Sequence, residues 1–179
     1  MRMTTRVTVR PITLADEVEF LAAARASRKL HAPWIATPQD AATFRRHVSR
    51  FIAPTHHGFL VIDRDGRIAG AINLTNAIYG PFCSAYLGWY VFAGFERQGL
   101  MAQGLRHVLR IAFGPLKLHR LEANIQPGNR PSMALARACG FSKEGCSRAY
   151  LKIGGRWRDH ERWAIVKGLP PLKARAATG

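Results

Sequence analysis

Residues 86–113 place a strand, a glycine-bearing loop and a helix end to end, and that order narrows what the chain can fold into. Tyr86-Leu87-Gly88-Trp89-Tyr90-Val91-Phe92 is an apolar, aromatic run of strand type. Phe95-Glu96-Arg97-Gln98-Gly99-Leu100-Met101 follows, and Leu105, Val108, Leu109 and Ala112 then keep helical spacing. A helix start offers unpaired backbone N–H groups and the positive end of a dipole. A glycine lets a ligand approach that backbone closely. Together these features make a cradle for phosphate. Taken alone, one glycine at a strand-to-helix turn is also ordinary turn chemistry. Neither G-x-G-x-x-G nor G-x-x-x-x-G-K-[ST] occurs here, which removes the common dinucleotide and triphosphate signatures.

The length of 179 residues fits one domain with one core, and 47% hydrophobic content supports a packed globule. We expect a single domain over 1–168 and a loose tail over 169–179, rich in Pro, Lys and Arg. No apolar run reaches the length of a membrane span, and the charged N-terminus lacks the apolar stretch of a secretory signal. The three cysteines, Cys83, Cys139 and Cys146, show no C-x-x-C spacing, so neither a disulfide framework nor a metal site is expected. Cys139 and Cys146 read as small core residues, and the compartment reads as the cytoplasm. The net charge of +16 favours polyanions and implies weak, non-specific affinity for RNA or the ribosome. The cationic residues are spread along the chain, so dedicated nucleic-acid binding is the minor reading.

Arg6 to Arg10 alternate like a strand, Asp16 caps a helical stretch, and Pro33 stops it. Thr37 and Pro38 read as the N-cap and first position of a second helix, whose buried face is Phe44, Val48, Phe51 and Ile52. Strands over 58–63 and 68–75 flank an Asp65-Gly66 hairpin turn. His56 and His57 read as a surface loop pair. A strand over 84–92 and a helix over 99–113 follow. Next come a strand at 119–125 and a helix from Arg130 that ends at Gly140. Two strands around Gly154-Gly155 close the chain. The pattern is an α/β (α+β) domain: a mixed, mostly antiparallel sheet of about six to seven strands flanked by about four helices.

Five segments in this order resemble the GNAT N-acetyltransferase superfamily, and most closely its RimJ/RimL-like branch. They are Gln98-Gly99-Leu100-Met101, His119-Arg120-Leu121-Glu122-Ala123-Asn124, Asn129-Arg130-Pro131-Ser132, Gly140-Phe141-Ser142-Lys143-Glu144-Gly145 and Gly155-Arg156-Trp157-Arg158-Asp159-His160. The likeness spans residues 6–166 and implies acetyl-CoA as cosubstrate. It places Arg97, Gln98, Gly99, Leu100 and Met101 around the pyrophosphate. It places backbone groups near Val91 and Phe92 on the thioester carbonyl, and Asn129 on the pantetheine arm. Two departures stand out. Glu96 occupies a position where Arg or Gln is usual, so its side chain is expected to point away, and Met101 occupies a small-residue position. A third is Ala136, where many members carry a tyrosine that protonates the leaving thiolate.

Acetyl transfer to an amine must remove a proton, stabilise an oxyanion and stabilise a thiolate. An α-amine, with a reference pKa of about 8 against about 10.4 for lysine, asks little of a base. Glu122 is the first candidate base, with an ion pair to an arginine as the equal structural alternative. Asp159 and Glu144 rank below it. Ser132 is the candidate hydroxyl at the sulfur, and Asn129 also reads as the N-cap of its helix. Trp34, Tyr79, Trp89 and Tyr150 are the candidate acceptor-side residues, with Trp157 as a further aromatic. His119 and His160 read as structural.

Three functions stay open. The first is acetylation of a protein N-terminal α-amine, of the ribosomal-protein-alanine type. The second is acetylation of a small amine such as a polyamine, an amino acid or an aminoglycoside, which in a +16 protein would need a locally acidic pocket. The third is a non-catalytic acyl-CoA or RNA-binding module. No membrane partner is expected, and the chain is a monomer or a homodimer.

Overall fold

A computed structural model describes residues 7–32 and 34–172. The expected strand start at Arg6, the stop at Pro33 and positions 173–179 of the expected tail lie outside the described residues. The strands are β1 (Val7–Pro11), β2 (His57–Asp63), β3 (Ile68–Ile78), β4 (Ser84–Val91), β5 (Arg120–Ile125), β6 (Ser142–Ile153) and β7 (Arg156–Val166). The helices are α1 (Glu17–Ala26), α2 (Arg28–His31), α3 (Ala41–Ser49), α4 (Leu100–Phe113) and α5 (Arg130–Ala138). The seven strands form one sheet in the order β1-β2-β3-β4-β5-β7-β6. Every neighbouring pair is antiparallel except β4 and β5. The expected mixed, mostly antiparallel architecture is therefore present.

The parallel pair shapes the molecule. A parallel connection needs a crossover, and α4 supplies it. Yet the β4–β5 ladder joins only Ser84–Tyr86 to Arg120–Glu122. Beyond Tyr86 the two strands part, and the sheet opens into a wedge.

Side-chain alternation divides the sheet into two faces. Leu121, Ala123 and Ile125 of β5 are buried on one face, against Leu105, Val108 and Ala112 of α4 and Trp163 of β7. On the opposite face of the β1–β4 half, Phe20 of α1 meets Phe44 of α3 at 5.1 Å and Phe92 edge-on at 5.4 Å. Directly opposed residues share a face, so Tyr86, Glu122, Asn124 and Arg162 lie on one face across β4, β5 and β7.

Several local expectations change. The N-cap of α3 is Asp40, whose carboxylate accepts from the Thr43 N–H at 2.8 Å; Thr37 lies in the extended approach. Both residues are cap formers, and Asp40 has the partner three positions ahead. Ile52 is 84% exposed, because the chain leaves α3 in a 3-10 turn that rotates it off the buried face. His57 opens β2 rather than a loop, with its ring stacked 6.4 Å from Phe59. Cys139 is buried as expected, whereas Cys146 is exposed on β6.

His47 of α3 is wedged 5.1 Å edge-on from Phe51 and 6.1 Å from Phe20. Its Nε2 has no hydrogen-bond partner among the described residues. Burial, followed by the nearby Arg50 charge, pushes its pKa from 6.5 down to about 4. Between those values the unfolded chain binds the proton and the folded one does not. The stability contribution is complete above the unfolded pKa and is lost as pH falls toward the folded one. Urea midpoints should therefore fall between pH 7.5 and pH 4.5, and the fall should be smaller in His47→Leu. An equal fall in both proteins would show that His47 does not drive it.

Candidate active site

The end of β4 is pinned by the α1–α2 segment, and His31 of that segment also lines the larger cleft described below. The buried Ser27, at the α1–α2 junction, accepts the Ala93 N–H on its Oγ at 2.8 Å. His31 at the end of α2 places Nε2 2.7 Å from the Val91 carbonyl. A carbonyl only accepts, so Nε2 carries the proton, and Nδ1 faces Thr37 Oγ1 at 3.5 Å. Burial lowers the pKa of His31, which keeps the ring neutral. The Phe92 N–H donates to Ala69 on β3 at 2.9 Å. Alternation along the strand turns the Val91 and Trp89 N–H groups the other way, into the wedge.

The following loop braces itself. Glu96 accepts the Gly94 N–H on its carboxylate at 2.7 Å, and Gln98 Nε2 donates to the Gly94 carbonyl at 2.7 Å. The Glu96 carboxylate is thus turned back onto the loop, although the residue still forms part of the cleft wall. Arg97 has φ 59° and Gly99 φ 75°. Gly99 is the N-cap of α4 and has no side chain to cap it, so the first-turn N–H groups face outward. Met101 fits its unusual position because Gly70 lies beneath it: a Cβ there would collide with Met101 Sδ.

A cleft of about 840 Å³ runs from this loop to the start of α5. That is a size suited to a cofactor-class ligand. Val91, Arg97, Gly99, Leu100 and Met101 line it. A second cleft of about 190 Å³ occupies the wedge, walled by Leu87 and Gly88 of β4, Ala123 and Asn124 of β5, and His160 of β7. Trp34, Trp89, Asn129 and Ser132 line both. Asn129 caps α5 by accepting the Ser132 N–H at 3.2 Å. Gln126 Nε2 donates to the Trp34 carbonyl at 3.0 Å and ties that segment across the wedge. Ala136 is fully buried, so the position of the missing tyrosine faces the core here.

The other expected site residues lie outside both linings. Phe92 is fully buried in the second core, and its N–H is already used by Ala69. Gln98 faces solvent while bracing Gly94. Tyr79 is exposed past the end of β3, beyond the Ile78–Ser84 pair and so at the opposite end of β4 from Val91. Trp157 is exposed on β7. Tyr150 packs edge-on against His160 at 6.2 Å, and with burial its contact to Tyr86 pushes the Tyr86 hydroxyl up to about 12. Glu122 is held by Arg120 at 2.7 Å. The same guanidinium grips Glu144 and holds its carboxyl below the usual range. Asp159 accepts the Ala149 N–H at 2.8 Å. Sequence reasoning missed Ser27, His31 and Gln126, whose roles depend on partners 60 or more residues away.

The eleven carboxylates of the chain all have structural partners. Asp16, Glu17, Asp63, Asp65, Glu122, Glu144 and Glu161 pair with arginine or lysine. Glu19 accepts the Ile68 N–H, and Asp40, Glu96 and Asp159 likewise accept backbone N–H groups. Among the described residues, no carboxylate lines the wedge cleft.

An Acetyltransferase (GNAT) domain model matches residues 6–142. The Probable N-acetyltransferase YjcK of Bacillus subtilis is 36% identical over 111 residues, covering 62% of this chain and 61% of that protein. The ribosomal protein uS5-alanine N-acetyltransferase of Escherichia coli is 37% identical over 109 residues, covering 60% of this chain and 56% of that protein. The chain thus spans less than two thirds of either relative. The solved structure of Mycobacterium smegmatis RimJ in complex with CoA-disulfide matches with a TM-score of 0.84 at 27% identity, covering 90% of this chain and 82% of that one.

Gly99→Ala tests the cradle. The mutation meets open space but forces a Cβ onto φ 75°. That strain costs about 1–2 kcal/mol. If it is relieved by moving the loop, calorimetric affinity for CoA should fall by about tenfold while the melting temperature changes little. Unchanged affinity would show that the loop does not contact the ligand.

Proposed function

The chain belongs to the GNAT acetyltransferase family, and from that premise we propose that it transfers an acetyl group from acetyl-CoA to a protein N-terminal α-amine. The observation that carries this reading is the pair of joined clefts, with Trp89, Asn129 and Ser132 on the shared wall. The uncapped first turn of α4 at Gly99 and the loop from Arg97 to Met101 fit a pyrophosphate. The wedge fits a slender thioester arm.

Acetyl-CoA, when bound, supplies an activated acyl carbon. The N–H groups of Val91 and Trp89, pointing into the wedge, are placed to donate to the acyl oxygen, where negative charge develops. Ser27 and His31 hold that strand end in place, so the donors need no reorganisation. Asn129 orients the start of α5 while lining the arm's path. Ser132 presents a hydroxyl toward the leaving sulfur from the wall common to both clefts. Residues 1–168 act as one domain in this reading.

The acceptor follows from charge. A polyamine or aminoglycoside needs carboxylates near its ammonium groups. The wedge cleft offers none, and the other cleft offers only Glu96, tied to Gly94. A single α-amine at the end of a peptide needs no such surround. The likeness to the uS5-alanine enzyme and to RimJ supports a ribosomal protein as the source of that N-terminus. The +16 charge suits an approach to a ribosome-bound partner in the cytoplasm.

The test is thiol release from acetyl-CoA with N-terminal peptides, Ala-starting ones included, beside a polyamine and aminoglycoside panel. Peptide α-amines should be acetylated, and Ser132→Ala should lower kcat while CoA affinity stays within about twofold. Turnover confined to polyamines would overturn the acceptor, and no turnover with any amine would overturn the activity.

A further inference from the structure

His160 lies on β7 and is only 3% exposed, yet it forms part of the wedge-cleft wall. Its Nδ1 is 3.0 Å from the Arg158 carbonyl. That oxygen only accepts, so Nδ1 holds the proton and the neutral ring leaves a bare lone pair on Nε2. Nε2 takes no hydrogen bond among the described residues. The Tyr150 ring packs edge-on against the imidazole at 6.2 Å. A buried ring on a cleft wall, with one nitrogen anchored and the other unbonded, is an arrangement that suits a proton acceptor.

The surroundings strengthen the case. Every carboxylate already has a structural partner, and none lines the wedge cleft. His160 is the titratable side chain on that wall. It shares its face of β7 with Arg158 and Arg162, and Tyr150 faces it from β6. Glu122 and Tyr86 lie further along that face on β5 and β4. Asp159 and Glu161 alternate to the other side of β7 and are bonded to Ala149 and Lys143.

We infer that His160 is the general base of the wedge cleft, taking a proton from the acceptor amine on Nε2. This inference rests on the acetyltransferase reading above. In the step, His160 Nε2 accepts one amine proton as the amine nitrogen's pair forms the C–N bond. The C–S pair departs with the sulfur, which takes a proton from solvent, and the imidazolium returns its own proton to solvent. Arg158 contributes only its carbonyl and acts as a positioning residue.

Two measurements on the full chain test this. In long-range ¹H–¹⁵N spectra at neutral pH, His160 should show a protonated Nδ1 and an unprotonated Nε2. A proton on Nε2 with a bare Nδ1 would overturn the assignment whether or not any amine is acetylated. In kinetics, His160→Gln, which keeps polarity and bulk, should lower kcat by about 100-fold or more. CoA affinity should stay within about twofold. The acidic limb of the wild-type pH profile, where protonation of Nε2 removes activity, should disappear in the variant. Added imidazole should restore part of the rate in His160→Ala. Wild-type turnover and pH profile in a folded His160→Gln would overturn the proposal. A wild-type protein inactive toward every amine would instead sink the acetyltransferase reading, and the spectra would still decide the tautomer.

Discussion

The short parallel ladder between β4 and β5 is the constraint on which the rest of the structure depends. Three residue pairs join the strands before they diverge. Had the ladder continued, the N–H groups of Trp89 and Val91 would have been spent on β5, and the wedge would be filled with backbone. Because it stops, the end of β4 must be held by other means. Ser27 and His31 of the α1–α2 segment do this. Trp34, tied to Gln126, spans the gap they leave. An open sheet interior is thereby kept rigid without strand pairing.

The second organising fact is electrostatic. A +16 chain with eleven carboxylates has an excess of arginine and lysine, and each carboxylate is engaged by a cation or a backbone N–H. That leaves the clefts almost free of negative charge, which suits an anionic cosubstrate and a singly charged acceptor. In the proposed mechanism it also moves the burden of proton transfer from a carboxylate to an imidazole.

The legibility of the site in the sequence followed the range of each interaction. The Gly99 loop was readable because strand, glycine and helix are contiguous and the dipole argument is local. Asn129 and Ser132 were readable because a cap and its bonded N–H are three residues apart. Glu122 had two readings, and its partner Arg120, two positions away on the same strand face, was visible in the period of two. The Thr37–Asp40 choice was ambiguous because both residues cap helices, and the preceding chain path selected Asp40. His31 gave no signal: its partner Val91 is 60 residues distant, and a histidine before a turn is unremarkable. Tyr79 and Trp157 looked like acceptor-side aromatics by type, but topology carried them to exposed positions away from the wedge.

By itself the sequence determined the order of elements, the mostly antiparallel sheet, the glycine at the helix start and the family, because these depend on local periodicity, turn chemistry and short motifs. Only the tertiary structure decided where β4 and β5 part, which backbone donors remain free, that no carboxylate faces the wedge and that His160 does. Those facts depend on strand register and on contacts between residues far apart in the chain. A one-dimensional pattern reports which face a residue prefers, and it does not report what stands opposite that face.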